Sequence, residues 1–213
     1  DGTLEAREAT FVIPDKVKIY GGFAGTESSI DERNTENNPT LLSGDPNTPG
    51  NDGDNFYHIV YLNNISAETY IDGFIIKDAG FSDLQGAMLI SSSGATNQSS
   101  PVISNCEISE NNEGGLYVLA DDESIAAPVL SNCNFIRNGT DFGGAIRFRG
   151  INGGLTEAQI TNCSFEDNIS ASYHTGGAIY VEDSSSISIT NSKFIGNSAY
   201  QGGAIGYDNV GNH

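Results

Sequence analysis

Several residue types are scarce in this sequence, and each shortage excludes a class of protein. Lys and Arg total 9 against 28 Asp and Glu, which gives a formal net charge of −19. A surface of that sign repels nucleic acid and anionic membranes, because phosphate binding needs clustered cations. No apolar run approaches the roughly 20 residues of a membrane-spanning helix. We therefore expect no nucleic-acid partner and no direct membrane insertion by this chain.

Cysteine, histidine and helical periodicity are equally limited. Three Cys leave at least one thiol unpaired, and no Cys-x-x-Cys pair suggests a zinc site. None of the three His has a Ser or Cys at a spacing typical of nucleophilic catalysis. Apolar residues never recur with helical spacing over a sustained stretch, so almost no helix is predicted.

What the sequence does contain is a repeat. Four blocks align, each with an Asn near its start and a Gly-Gly pair near its end: 101–117, 128–146, 158–179 and 187–205. Their first asparagines are Asn105, Asn132, Asn162 and Asn191, so the steps are 27, 30 and 29 residues. A weaker copy, "TYIDGFIIKDAG", precedes them, and "VKIYGGF" and "TLLSGD" resemble strands of still earlier coils.

Within each block apolar and polar residues alternate, which is the periodicity of a strand. Such short strands cannot bury a face alone, but they can when they stack as coils of a solenoid. We therefore predict an all-β parallel β-helix of about seven coils with almost no helix. Residues 1–62 form irregular N-terminal coils, 63–100 the first regular coil and 101–213 the regular coils. Both ends are interpreted as cuts through a longer protein.

Stacked coils place like residues in ladders, and the sequence supplies three. They are Cys106, Cys133 and Cys163, continued by Ser192; Ile108, Phe135, Phe165 and Phe194; and Asn111, Asn138, Asn168 and Asn197. The thiols are predicted to be free and buried, since parallel neighbours about 4.8 Å apart suit a disulfide poorly. Each Asn should bond the Asn of the next coil and take a left-handed backbone at the corner. The Gly-Gly pairs supply tight bends.

The paired motifs G-G-A-[ILV] and F-x-x-N resemble the repeats of polymorphic outer membrane proteins. They occur at Gly143–Ile146, Gly176–Ile179 and Gly202–Ile205, each preceded by a Phe three residues before an Asn. The stretch 17–45 is similar to the opening region of bacterial secreted right-handed parallel β-helix proteins. The resemblance implies a right-handed helix and an extracellular or cell-surface location, often as an adhesin or passenger domain. It implies no particular activity.

Candidate ligand-binding residues lie in "GGAIRFRG" and in the next coil. Alternation places Arg147 and Arg149 outward, with Tyr180 and Glu182 at the matching positions. The favoured interpretation is a surface salt bridge between Arg149 and Glu182, which contributes little to stability. The alternative is a shelf on which Tyr180 stacks a sugar ring and the arginines hold a carboxylate or sulfate.

One loop offers oxygen ligands for a cation. "SGDPNTPGNDGDNF" contains Asp45, Asn47, Asp52 and Asp54, the ligand type that calcium prefers. The loop lacks the spacing of an EF-hand. A solvated surface loop is the simpler interpretation, so calcium is a candidate and no other cofactor is expected.

The outward positions of the GGA strands are predicted as Val118, Arg147, Tyr180 and Gly206, which include no carboxylate. Because a glycoside hydrolase needs paired carboxylates, and no nucleophile or base is found at a recognisable spacing, the chain is predicted to be a non-catalytic structural or adhesive rod. Its expected partners are surface glycans or proteins of a host or neighbouring cell. A polysaccharide lyase or a carbohydrate-binding module for acidic glycans remains the alternative.

Overall fold

The computed structural model describes residues 6–46, 50–51, 53–80, 86–140, 142–171, 175–182 and 184–208. These residues form short strands and two 3-10 helices, Ala6–Glu8 and Ile30–Glu32. No helix in the described ranges has the length and hydropathy needed to cross a membrane. The predicted all-β architecture is confirmed.

Three parallel sheets run along the molecule, named A, B and C. Sheet A contains Phe11–Val12, Val60–Asn63, Met88–Ser93, Leu116–Asp121, Ile146–Gly150, Ile179–Val181 and Ile205–Tyr207. Sheet B contains Lys18–Tyr20, Tyr70–Asp72, Gln98–Ser99, Val102–Ser104, Ile125–Ala126, Val129–Ser131, Leu155–Thr161 and Ser185–Thr190. Sheet C contains Thr40–Ser43, Phe74–Lys77, Glu107–Ser109, Asn134–Ile136, Ser164–Glu166 and Lys193–Ile195. A small fourth sheet pairs Gly139–Thr140 with Ile169–Ser170.

The chain visits the sheets in the order B, C, A in every coil. Regular coils follow one another five times between Tyr70 and Tyr207, and one wider coil, from Lys18 to Asn63, precedes them. The expected count of about seven coils is too high. "VKIYGGF" and "TLLSGD" are not separate coils, because they supply the sheet B and sheet C strands of the same wide coil.

The interior is filled by the predicted apolar ladders. In sheet C, Ile108 lies in register with Phe135, and Phe135 with Phe165 and Phe194. The rings of Phe135 and Phe165 are 5.0 Å apart, those of Phe165 and Phe194 are 4.7 Å apart, and both pairs are nearly parallel at 6°. Such pairs add to the stabilisation from burial.

The asparagine ladder lies at the corner between sheets C and A. Asn138 Nδ2 donates to Asn168 Oδ1 at 3.0 Å and to the Ile108 carbonyl at 2.8 Å, and the Asn138 backbone N–H donates to the same Oδ1 at 3.0 Å. Asn111 and Asn168 make the equivalent bonds to the following Asn. The ladder therefore satisfies buried backbone groups at each corner.

The left-handed backbone predicted for these asparagines is wrong. Positive φ angles occur one residue earlier, at Glu110, Arg137, Asp167 and Gly196, and at the first Asn of each block, such as Asn132 with φ 54°. The amide side chains of the ladder must face the interior. The left-handed conformation that turns the chain at this corner is therefore adopted by the residue before each Asn.

The three cysteines are free and buried, as predicted. Cys133 Sγ lies 3.6 Å from the Ile103 carbonyl oxygen and 3.4 Å from that of Ser131. The pKa of the Cys133 thiol lies well above its usual range, because it hydrogen-bonds with Cys106 and Cys163 and is buried. Cys133, at the centre of the column, therefore behaves as a small apolar residue.

Candidate functional site

The outer face of sheet A carries the candidate ligand-binding residues. Tyr117, Arg147, Tyr180 and Gly206 are in register and form one outward column. The prediction that Val118 stands in this column is wrong, since Val118 pairs with Phe148 and both are fully buried. "GGLY" lacks the Ala of "GGAI", so Gly115 takes the place of Ala145. A one-residue slip moves a side chain to the opposite face.

This outer face is not open to solvent. Phe142 lies over it, with its ring 4.3 Å from the Arg147 guanidinium carbon and 5.7 Å from the Tyr180 ring. The same guanidinium lies 5.2 Å from the Tyr117 ring. Tyr117 and Tyr180 are only 4% and 5% exposed. The rings of Phe142 and Tyr117 thus lie against one cation, an arrangement that favours the charged guanidinium electrostatically.

Glu182 joins both arginines of the motif. Its Oε1 accepts from Arg147 Nη2 at 2.6 Å and from Arg147 Nε at 2.8 Å, while its Oε2 lies 3.0 Å from Arg149 Nε. The side chains of Arg147 and Glu182 are 12% and 8% exposed, and that of Arg149 is 43% exposed. The expected Arg149–Glu182 pair is present, but Glu182 is buried and also binds Arg147, which the sequence pattern did not predict.

Tyr180 is engaged at its other end as well. Its hydroxyl donates to Asp208 Oδ2 at 3.1 Å. Burial, together with the negative charges of Glu182 and Asp208, raises the pKa of Tyr180 well above its usual range. The phenol is therefore neutral at physiological pH and serves as a hydrogen-bond donor.

The structure thus brings together all four candidate ligand-binding residues, here called the arginine cluster: Arg147, Arg149, Tyr180 and Glu182. Two guanidinium groups share one carboxylate, and the most buried guanidinium is covered by rings. This arrangement is suited to holding adjacent coils together, because the ion pairs of both arginines with Glu182 connect one coil to the next. A ligand-binding role for these residues remains a prediction.

A second buried ion pair was missed by sequence reasoning. Arg33 Nη2 contacts Asp72 Oδ1, and Arg33 Nη1 lies 3.2 Å from the Gly21 carbonyl oxygen. Asp72 also accepts from Ser104 and from Asn105 Nδ2, the latter at 2.7 Å. The pair fastens the loop of the wide first coil to sheet B. The available signal was that Asp72 occupies the position of Ser104 and Ser131 in later coils.

A shallow groove follows the outer face of sheet B across several coils. Its volume is about 560 Å³. Its lining is made of small, aliphatic or polar side chains with one carboxylate: Ala67, Gln98, Ser100, Ala127, Val129, Glu157, Ala158, Gln159, Ser186 and Ser188. The absence of Lys and Arg from this lining makes the groove a poor fit for a polyanion.

The candidate calcium loop is described in part. Asn47 and Asp52 lie outside the described residues. Asp45 Oδ2 accepts from the Gly50 backbone N–H at 3.0 Å. Within the described ranges, no three His, Cys, Asp or Glu side chains are grouped closely enough to hold a metal ion. Calcium binding by the predicted set remains a prediction.

Comparison with known proteins identifies the family. The model of the right handed beta helix region matches residues 50–212. No curated protein and no solved structure matches the chain. The matched segment begins in the wide coil and includes all five regular coils. The chain therefore belongs to the right-handed β-helix family.

Proposed function

We propose that this chain is a non-catalytic structural or adhesive rod of a bacterial secreted or cell-surface protein. The observation that carries the proposal is the state of the arginine cluster. Its cations are paired with Glu182 and its most buried side chains are covered by aromatic rings. A lyase needs a cation or base beside the acidic proton of its substrate, and here the carboxylate beside the arginines repels a polyanion.

An extracellular or cell-surface location is part of the proposal. The resemblance of the GGA[ILV] and FxxN motifs to polymorphic outer membrane protein repeats supports it. The net charge of −19 supports a surface that stays soluble and does not adhere to nucleic acid. Glycans or proteins of a neighbouring cell are the proposed partners.

The second candidate function is carbohydrate binding without turnover. The groove over sheet B favours it, because its hydroxyl and amide groups, including Ser186, Ser188 and Gln159, could bond a chain lying along the axis. Among the described residues that line it, Glu157 is the single charged one. The groove therefore suits a neutral glycan better than the acidic glycan expected from the sequence.

Activity and binding assays separate these functions. The chain is incubated with pectate, alginate and chondroitin, with and without calcium, and product release is measured. We expect no turnover. Turnover that disappears in the Arg147→Ala, Arg149→Ala double variant would show that the rod is a lyase. Binding to a neutral glycan without product, weakened by Gln159→Ala, would favour the second candidate.

A further inference from the structure

We propose that Asp45, Asp54 and Asn55 bind one divalent cation of the calcium type at the base of the loop between sheets C and A in the wide first coil. This inference is independent of the proposed function. The residue set differs from the one predicted from the sequence, because Asn55 enters it and the site does not rely on Asn47 or Asp52.

The first observation is three buried oxygens without donors. Asp45 Oδ1, Asp54 Oδ1 and Asn55 Oδ1 are each inaccessible to solvent and accept no hydrogen bond in the described structure. Asn55 as a whole is only 3% exposed. Buried polar atoms normally have partners, and a group of exceptions indicates a missing ion or water.

The backbone brings these residues to one place. The Phe56 N–H donates to the Gly44 carbonyl at 2.7 Å and closes the loop. Asp45 and Asn55 are therefore the first residues inside the loop at its two ends, and Asp54 precedes Asn55 in the chain. The bonds from Gly44 N to Lys77 O and from Gly80 N to Phe56 O, both 2.9 Å, fasten this base to the second coil.

The chemistry of the three atoms favours a hard cation. Two carboxylate oxygens and one amide oxygen can only accept, and oxygen is the ligand that calcium prefers. The set holds neither the nitrogen nor the sulfur ligands that zinc prefers. A cation would also offset the negative charge that two carboxylates bring to the base of one loop.

Arg7 is the positive side chain bonded to this base. Its Nε donates to the Asn55 carbonyl oxygen at 2.7 Å, and its guanidinium lies 4.4 Å from the Tyr57 ring centre. None of the three acceptor oxygens is a hydrogen-bond partner of Arg7 in the described residues. The guanidinium thus supports the backbone of the site, and a cation would neutralise the carboxylates.

Direct binding is the primary test. The whole chain is treated with EDTA, dialysed and titrated with calcium chloride by calorimetry, and its thermal unfolding is followed with and without calcium. We expect one calcium per chain and an unfolding midpoint that rises with calcium concentration by mass action. No binding at millimolar calcium would overturn the proposal, whatever the variants do.

Matched variants locate the site. Asp45→Asn and Asn55→Ala should bind calcium at least about tenfold more weakly, since ligand number and charge set the affinity. Asp31→Asn removes the same charge from an exposed position and should bind as the unaltered chain does. In EDTA, Asp45→Asn should unfold at the same or a higher temperature, because it removes a negative charge from a partly buried position at the loop base.

Comparison of the Asp45→Asn variant in EDTA and in calcium distinguishes a cation site from a purely structural role. If Asp45→Asn lowers the midpoint equally in EDTA and in calcium, the carboxylate serves the fold alone and the proposal fails. If Asp45→Asn does not fold, Asp54→Asn replaces it in the same comparison. Calcium binding that is unchanged in Asp54→Asn and Asn55→Ala would also contradict the assignment.

Discussion

At the scale of single residues, the accessibility of a charge decides what it does. Arg147 and Glu182 lie on the outer face of sheet A, yet both side chains are nearly buried, and the rings of Phe142 and Tyr117 lie over the Arg147 guanidinium. An exposed ion pair contributes little to stability, whereas removal of one partner from a buried pair leaves an uncompensated charge. The Arg147–Glu182 pair belongs to the second kind.

The first prediction concerns Glu182. Glu182→Ala should lower the free energy of unfolding by about 3 kcal/mol, because it removes the carboxylate that two nitrogens of the buried Arg147 guanidinium contact. Arg149→Ala, at the half-exposed arginine, should cost about 1 kcal/mol or less. Urea denaturation followed by circular dichroism measures both.

The Arg147→Leu, Glu182→Leu double variant is the control for this prediction. It removes both charges and should recover much of the stability lost in Glu182→Ala. A Glu182→Ala variant no less stable than Arg149→Ala would contradict the idea of a buried pair.

Strand alternation predicted which way Arg147 and Arg149 point and that Glu182 lies opposite Arg149. It could not predict their burial, because Phe142 lies in a segment between Asn138 and Gly143 whose sequence and length differ among the coils. Val118 was misplaced for another reason. Matching "GGLY" to "GGAI" letter by letter shifts the register by one residue, and only the hydrogen bonds of Gly115 and Leu116 reveal the true alignment.

At the scale of elements, the shape of each coil depends on the bends between its strands. At the corner before sheet A, Gly143, Gly176 and Gly202 have φ angles of 64°, 73° and 61°. A β-carbon at Gly176 would collide with the Ile179 carbonyl oxygen. The repeated GGAI motif therefore reflects a backbone requirement, and this is why the regular coils could be predicted from the sequence.

The second prediction tests this corner. Gly176→Ala should lower the free energy of unfolding by more than about 1–2 kcal/mol, since it combines a left-handed backbone with a backbone collision. Gly139→Ala is the matched control, because the nearest atom to its added β-carbon is the Ile169 oxygen at 3.9 Å. Thermal unfolding of the two variants compares them directly. Equal midpoints would show that the corner tolerates a side chain.

In the wide first coil, the sequence predicted the strands but not that they belong to the same coil. Its strands Lys18–Tyr20 and Thr40–Ser43 belong to one turn but are separated by a long loop. A period near 29 residues cannot assign such strands to a coil. The Arg33–Asp72 ion pair holds the loop in place. Because the two residues are far apart in sequence and Arg33 lies outside the repeat, no periodic pattern predicts their contact.

At the scale of the whole molecule, the rod is nearly one-dimensional. In each of the three sheets, the strands of a coil pair with those of the coils before and after it, so its stability depends on the interfaces on both sides. Phe165 is fully buried between Phe135 and Phe194, whereas Phe194, in the last described coil, is partly buried and stacks on Phe165 alone among the described rings. The contribution of a ladder Phe to stability should therefore depend on the position of its coil along the rod.

The last prediction compares these two phenylalanines. Phe165→Ala should cost about 3–5 kcal/mol, the usual range for a buried Phe, and Phe194→Ala should cost clearly less. Hydrogen exchange should show where the effect is felt. Phe165→Ala should reduce protection in Asn134–Ile136 and Lys193–Ile195 together, because both strands pair with its own. Phe194→Ala should leave Asn134–Ile136 protected. Equal losses of protection in both variants would mean that the rod unfolds as one unit, and the nearest-neighbour description would fail.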